Sequence, residues 1–160
     1  GPISRRDVAT LTPVIADCCR IKADIVGGDE REAGPRRILN FGHTAGHALE
    51  SLTRYRRFLH GEAVAYGMLV AAELALVRRL MSTDDRDALA SLIAQLGPLP
   101  PLGDLAAPAI VELMRRDKKV HEGRLHMVLP AAIGSARIVD DVSDDELMRA
   151  LTGIGLAQSA

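Results

Sequence analysis

Three of the five histidines, His43, His47 and His60, fall within one short stretch, in polar and glycine-rich company that core packing does not explain. The stretch reads Asn40-Phe41-Gly42-His43-Thr44-Ala45-Gly46-His47, followed by Leu59-His60-Gly61-Glu62. His43 and His47 are four apart, so on a helix they share one face about a turn from each other. His60 lies just beyond the end of that helix and just before the next, where a chain reversal returns it to the same spot. Neutral imidazole is the commonest metal ligand, and pairs at this spacing recur in zinc sites. Spacing alone leaves surface or packing histidines about as frequent; the flanking glycines and Asn40 tilt the reading toward a site.

Helices have to position these side chains. Thr12-Pro13 has the form of an N-cap followed by proline at the first helical position. Apolar residues then recur at helical spacing until Gly27-Gly28 stops the pattern. Residues 29–35 read as a charged loop. A second helix is expected from about Arg37 to Leu52, which would set Arg36, Asn40, His43 and His47 in one polar stripe. Residues 62–80 form a long helix with small and apolar residues on most faces, as a central buried helix requires. Ser82-Thr83-Asp84 caps a helix over 86–96, residues 109–116 form another, and Ser143-Asp144-Asp145-Glu146 opens a last one as a capping box. Residues 124–129 and 136–139 form a hairpin around a Pro-Ala-Ala-Ile-Gly-Ser turn. The fold class is mainly α with a minor β-hairpin, and residues 1–160 form a single helical domain.

Composition bounds the rest. The chain is 48% hydrophobic with only two Tyr, two Phe and no Trp, so its core must come from aliphatic residues and Met, a mix that favours packed helices. A net charge of −1 gives no reason to expect nucleic acid or an anionic membrane as partner. The longest apolar run, 63–77, is interrupted by Tyr66, Gly67 and Glu73, and is not expected to span a membrane. Adjacent Cys18 and Cys19 give neither a disulfide framework nor a metal knuckle, and read as buried or half-buried free thiols of a reducing compartment. Gly1-Pro2 without Met reads as the remnant of a cleaved expression tag.

Three long segments together carry more than spacing does. They are Lys22 to Arg36, then Ile38-Leu-Asn-Phe-Gly-His-Thr-Ala-Gly-His-Ala-Leu-Glu50, then Leu59-His-Gly-Glu-Ala-Val-Ala-Tyr-Gly-Met68. With Asp117-Lys118-Lys119 and residues 127–134, they closely resemble the C-terminal half of the 3-dehydroquinate synthase family, within the sugar phosphate cyclases. The resemblance covers about residues 13–140. It implies cyclisation of 3-deoxy-arabino-heptulosonate 7-phosphate to 3-dehydroquinate with phosphate release, in the shikimate pathway. In that reaction a ring hydroxyl is transiently oxidised at NAD⁺, next to a divalent metal, usually zinc. By position in the motifs, His43 and His60 match the family's two histidine metal ligands, and His47 matches a histidine that contacts substrate. Lys22, Arg36, Asn40 and one of Lys118 and Lys119 match substrate-binding positions, and Glu32 matches a proton acceptor. The third metal ligand, a glutamate, would precede residue 1.

No Gly-rich strand-turn-helix of the dinucleotide type is present, so no NAD-binding residue is assigned; the resemblance places that cofactor on an N-terminal domain outside this chain. The expectation is a fragment inactive alone, from a cytoplasmic enzyme that is a homodimer when intact and binds a small sugar-acid phosphate. Among Glu50, Glu62 and Glu73, Glu62 is the best placed to substitute as a metal ligand, but the resemblance gives the glutamate at that position a supporting or structural role. His121 and His126 receive no role, and His126 is expected on the exposed face of the hairpin. Two alternatives stand: another sugar phosphate cyclase, whose substrate lacks the carboxylate that Arg36 would bind, or a non-catalytic helical metal-binding module.

Overall fold

The computed structural model describes residues 5–29, 34–119 and 124–159, with the side chains of residues 35 and 117–119 outside that description. Glu32 and His121 lie outside the described residues, as do the side chains of Lys118 and Lys119. The elements run α1 (Val8–Gly28), a 3₁₀ turn (Pro35–Asn40), α2 (His43–Leu52), α3 (His60–Val77), α4 (Thr83–Leu96), α5 (Ala107–Lys119), β1 (Met127–Ala132), β2 (Ser135–Val139) and α6 (Asp144–Gly153).

The core is built around α3, against which α2, α4, α6 and β1 all pack. Its mean hydropathy of 1.3 over 18 residues would suit a membrane span by length and composition. Its neighbours give a different reason for that composition: Ala63, Val70, Ala72, Leu74 and Ala75 are fully enclosed by other elements. Leu49 of α2, Ile110 and Met114 of α5, Leu129 of β1 and Leu147 and Leu151 of α6 complete an aliphatic core, as the scarcity of aromatics demands. At the far end of α3, Arg78 donates to Glu146 at 2.8 and 2.9 Å and to Asp141 at 2.6 Å, tying the helix to the start of α6.

Two glycines set the distance between α2 and α3. Gly42 sits at φ +80°, in the left-handed region, and a Cβ there would lie 2.6 Å from the carbonyl oxygen of Val64. A Cβ on Gly67 would lie 1.8 Å from the carbonyl oxygen of Gly42. The two backbones therefore touch at the base of α2, next to His43.

This contact corrects the expected helix over 37–52. The left-handed Gly42 separates the 3₁₀ turn from α2, so Arg36 and Asn40 do not continue the helical face of His43 and His47. Three further expectations change. First, α1 starts at Val8, where the Asp7 carboxylate accepts from the Thr10 amide at 2.9 Å, and Pro13 sits inside the helix rather than at its first position. Second, α1 has no buried residue, and Cys18 and Cys19 are exposed, because the body meets this helix chiefly through the 3₁₀ turn. Third, Pro130–Ala132 belong to β1, which pairs antiparallel with β2 from Met127↔Val139 to Ala132↔Ser135, leaving Ile133 and Gly134 as the turn. The register shifts between Pro130 and Ala132, where proline offers no donor to the ladder. His126 is half-buried just before β1, and its carbonyl accepts from the Thr44 hydroxyl at 3.4 Å.

Candidate metal and substrate site

The loop between α2 and α3 delivers His60. Arg54 and Tyr55 both adopt left-handed φ values, +53° and +55°, and reverse the chain. Arg57 then forks onto the Asp104 carboxylate at 2.7 and 2.6 Å, and Phe58 is buried edge-on to Tyr66. The turn that precedes His60 is thus pinned by a bidentate ion pair on one side and by apolar packing on the other.

Three imidazoles converge as a result. The ring centroids of His43 and His47 are 5.4 Å apart, those of His43 and His60 are 5.4 Å, and those of His47 and His60 are 5.8 Å. Two rings are held from behind. His43 Nδ1 lies 3.2 Å from the carbonyl oxygen of Phe41, and His60 Nδ1 lies 3.2 Å from Glu50 Oε1. A backbone carbonyl can only accept, so it calls for the proton on Nδ1 of a neutral His43 ring, and a carboxylate acceptor calls for the same tautomer at His60, which would leave Nε2 as the ligand atom. That arrangement, with the far nitrogen bonded to a carbonyl or carboxylate, is the one that orients metal-binding histidines.

Glu50 also enters the geometry directly. Ligand atoms of His47, Glu50 and His60 all lie within 4.8 Å of one another. The two groupings disagree over whether His43 or His47 joins His60. The Nδ1 contacts favour His43, because they show a ring already oriented by a backbone acceptor. The sequence favoured Glu62 among the three glutamates, yet Glu50 stands three residues after His47 and so shares its helix face. Glu62 is engaged elsewhere: its carboxylate accepts from the Leu59 amide at 2.8 Å and caps α3. Glu73 pairs with Arg86 at 3.3 Å.

A cleft of about 680 Å³ opens beside the cluster, between α2 and the last turns of α5. His47, Glu50 and His60 line it with Thr44, Ser51 and Tyr55, and α5 contributes Leu113, Met114 and Arg116. Tyr55 and Arg116 carry no motif signal, since their places depend on the loop reversal and on the α2–α5 contact. The other expected residues are placed as follows. Lys22 is exposed on α1; Arg36 is half-buried in the 3₁₀ turn, its amide donating to Asp29 at 3.1 Å. Asn40 lines a separate small crevice with Thr44, Gly67 and Met127. Lys118 and Lys119 end α5, just beyond the residues that line the cleft.

The chain is 47% identical to the 3-dehydroquinate synthase of Dichelobacter nodosus over 147 residues, covering 91% of this chain and 40% of that protein. It is 41% identical to the Solibacter usitatus 3-dehydroquinate synthase over 153 residues, 92% of this chain and 43% of that one. The chain therefore spans about two fifths of these curated relatives. Among solved structures, it is similar to a 2-epi-5-epi-valiolone synthase from Streptomyces hygroscopicus with NAD⁺ and Zn²⁺ bound, at 26% identity and a TM-score of 0.79, covering 89% of this chain and 39% of that one. It is also similar to a 2-deoxy-scyllo-inosose synthase complexed with carbaglucose-6-phosphate, NAD⁺ and Co²⁺, at 26% identity and a TM-score of 0.76, over 91% of this chain and 41% of that one. The described fold is thus that of the helical part of the dehydroquinate synthase-like cyclases. The 3-dehydroquinate synthase C-terminal model matches residues 2–120, and the chain belongs to that family.

Proposed function

We propose that this domain forms the metal- and substrate-binding wall of a 3-dehydroquinate synthase, a cytoplasmic, homodimeric enzyme that cyclises 3-deoxy-arabino-heptulosonate 7-phosphate. The observation that carries the reading is the convergence of three imidazoles, two of them with Nδ1 within hydrogen-bond distance of an acceptor. These donors fit a divalent cation such as zinc, which favours imidazole nitrogen and keeps an open position for substrate in catalytic sites. His43 and His60 would hold it, and the bound cation would polarise a substrate hydroxyl. His47 is exposed and lines the cleft, which supports a role in exchanging a proton with substrate or binding its phosphate. Arg36, Asn40, Lys22 and Lys118 or Lys119 are assigned to the carboxylate, hydroxyls and phosphate, and Glu32 to proton acceptance. Arginine and lysine suit those oxyanions by charge, and the planar Arg fork suits a carboxylate in particular.

Identity supports this reading over the other cyclase activities. The proteins named 3-dehydroquinate synthase stand at 41–47%, against 26% for the valiolone and inosose synthases. The test joins this chain to the N-terminal part of the Dichelobacter nodosus relative and follows phosphate release. The chimaera is expected to act on the heptulosonate phosphate and not on a sugar phosphate lacking the carboxylate. The 160-residue chain alone, given NAD⁺ and zinc, is expected to release none. Turnover of both substrates by the chimaera, or normal turnover by the chain alone, would contradict the reading.

A further inference from the structure

We infer that Glu50 is the positioning residue of the metal site, fixing the tautomer and orientation of His60 from beneath. This rests on the metal reading above, which uses the His60 Nδ1 contact, and goes further by assigning a function to the acceptor in that contact. Its side chain is only 8% exposed, whereas that of His60 is 59% exposed. A carboxylate enclosed to that degree needs a hydrogen-bond or charge partner, since desolvation without one is costly. Glu50 meets His60 Nδ1 through both oxygens, at 3.2 and 3.4 Å. The contact joins the end of α2 to the first residue of α3, across the reversal at Arg54 and Tyr55.

The asymmetry of exposure defines the device. The carboxylate is buried among packed α2 residues, with Ala48 and Leu49 enclosed beside it, so it is the fixed member. The imidazole is the exposed member, at the first residue of a helix and in the lining of the cleft. Left alone, an exposed ring would sample both tautomers and several rotamers. With Nδ1–H donated to Glu50, one tautomer remains and Nε2 is the nitrogen left to bind a metal. A carboxylate acceptor behind the ring also makes the imidazole a better electron donor at Nε2, and loss of such a partner typically weakens metal affinity about 10–100-fold.

The test uses two substitutions in the 160-residue chain. Glu50→Leu keeps the buried volume and removes the acceptor; Glu50→Gln keeps an acceptor oxygen and removes the charge. Long-range ¹H–¹⁵N spectra at about pH 8, where an ordinary imidazole is neutral, read the His60 tautomer without any metal. Cobalt(II) titration, followed by visible absorption, reads affinity. The expected result is an Nδ1–H tautomer in the unmodified chain, its loss in Glu50→Leu, and its retention in Glu50→Gln. Cobalt affinity should fall about 10–100-fold in Glu50→Leu and by less in Glu50→Gln. A protonated Nε2 in the unmodified chain overturns the inference, as does an unchanged tautomer with affinity within twofold in Glu50→Leu. If Glu50→Leu fails to fold, the unmodified tautomer and the Glu50→Gln affinity decide on the same criteria. No cobalt binding by the unmodified chain would overturn the metal reading instead, and the tautomer would still decide the role of Glu50.

Discussion

Replacing Gly67 with alanine tests whether the close approach of α2 and α3 builds the site. In the middle of an exposed helix this change would stabilise by about 1 kcal/mol, since alanine is the better helix former. Here the added Cβ would lie 1.8 Å from the carbonyl oxygen of Gly42 and 2.9 Å from the amide nitrogen of Gly46. Restoring even 3.0 Å to that oxygen requires the backbones to part by about 1.2 Å. Both neighbours are backbone atoms, so no side chain can swing away. Overpacking of this kind costs about 3 kcal/mol or more, which outweighs the propensity gain and leaves a net loss of about 2 kcal/mol. For a chain of this length that lowers Tm by about 4–8 °C. Gly61 supplies the control: it lies in the first turn of α3 with nothing within 4 Å of an added Cβ, so Gly61→Ala is expected to be neutral or slightly stabilising. Thermal melts followed by circular dichroism compare the three proteins. A Gly67→Ala variant as stable as the unmodified chain would refute the contact. A displaced α2 should also disturb the His43 Nδ1 contact with Phe41, visible as a shifted ring resonance.

Two further outcomes follow from the surface. Glu146 is held at about 2, against an ordinary 4.5, chiefly by its hydrogen bonds from Arg78. Because the folded value is the lower one, this contribution is full above pH 4.5 and is lost as pH falls toward 2; Glu146→Gln should flatten the fall of Tm over that range, and an unchanged slope would show the pair to be inert. Cys18 and Cys19 are exposed on α1, so both should react with a disulfide reagent in the folded chain at the rate of the denatured one; protection of both would mean that α1 packs against the body.

Much of the architecture was legible in local signals. The capping box at Ser143 and the glycines that end α1 and α4 mark boundaries that depend on neighbouring residues alone. What escaped was set by distant contacts. The break at Gly42 comes from the Val64 carbonyl across the helix pair, which no periodicity within 37–52 can reveal. The exposure of α1 escaped because an apolar stripe states what a helix could bury, not what lies beside it. In the site, the three histidines were found because their spacing is a helical one plus a turn. Glu50 could have been found by the same rule, at i+3 from His47, whereas Tyr55 and Arg116 reach the cleft only through tertiary packing.

The most direct test of the account is cobalt(II) binding to the 160-residue chain and to its three single histidine-to-alanine variants. Two protein ligands make a weak site, so the unmodified chain should bind at millimolar rather than nanomolar concentrations, since ligand number and geometry set affinity. His43→Ala and His60→Ala are each expected to abolish the cobalt spectrum with the fold intact, and His47→Ala to retain it. Loss of binding in His47→Ala with retention in His43→Ala would contradict the assignment and place the cation on His47, Glu50 and His60 instead.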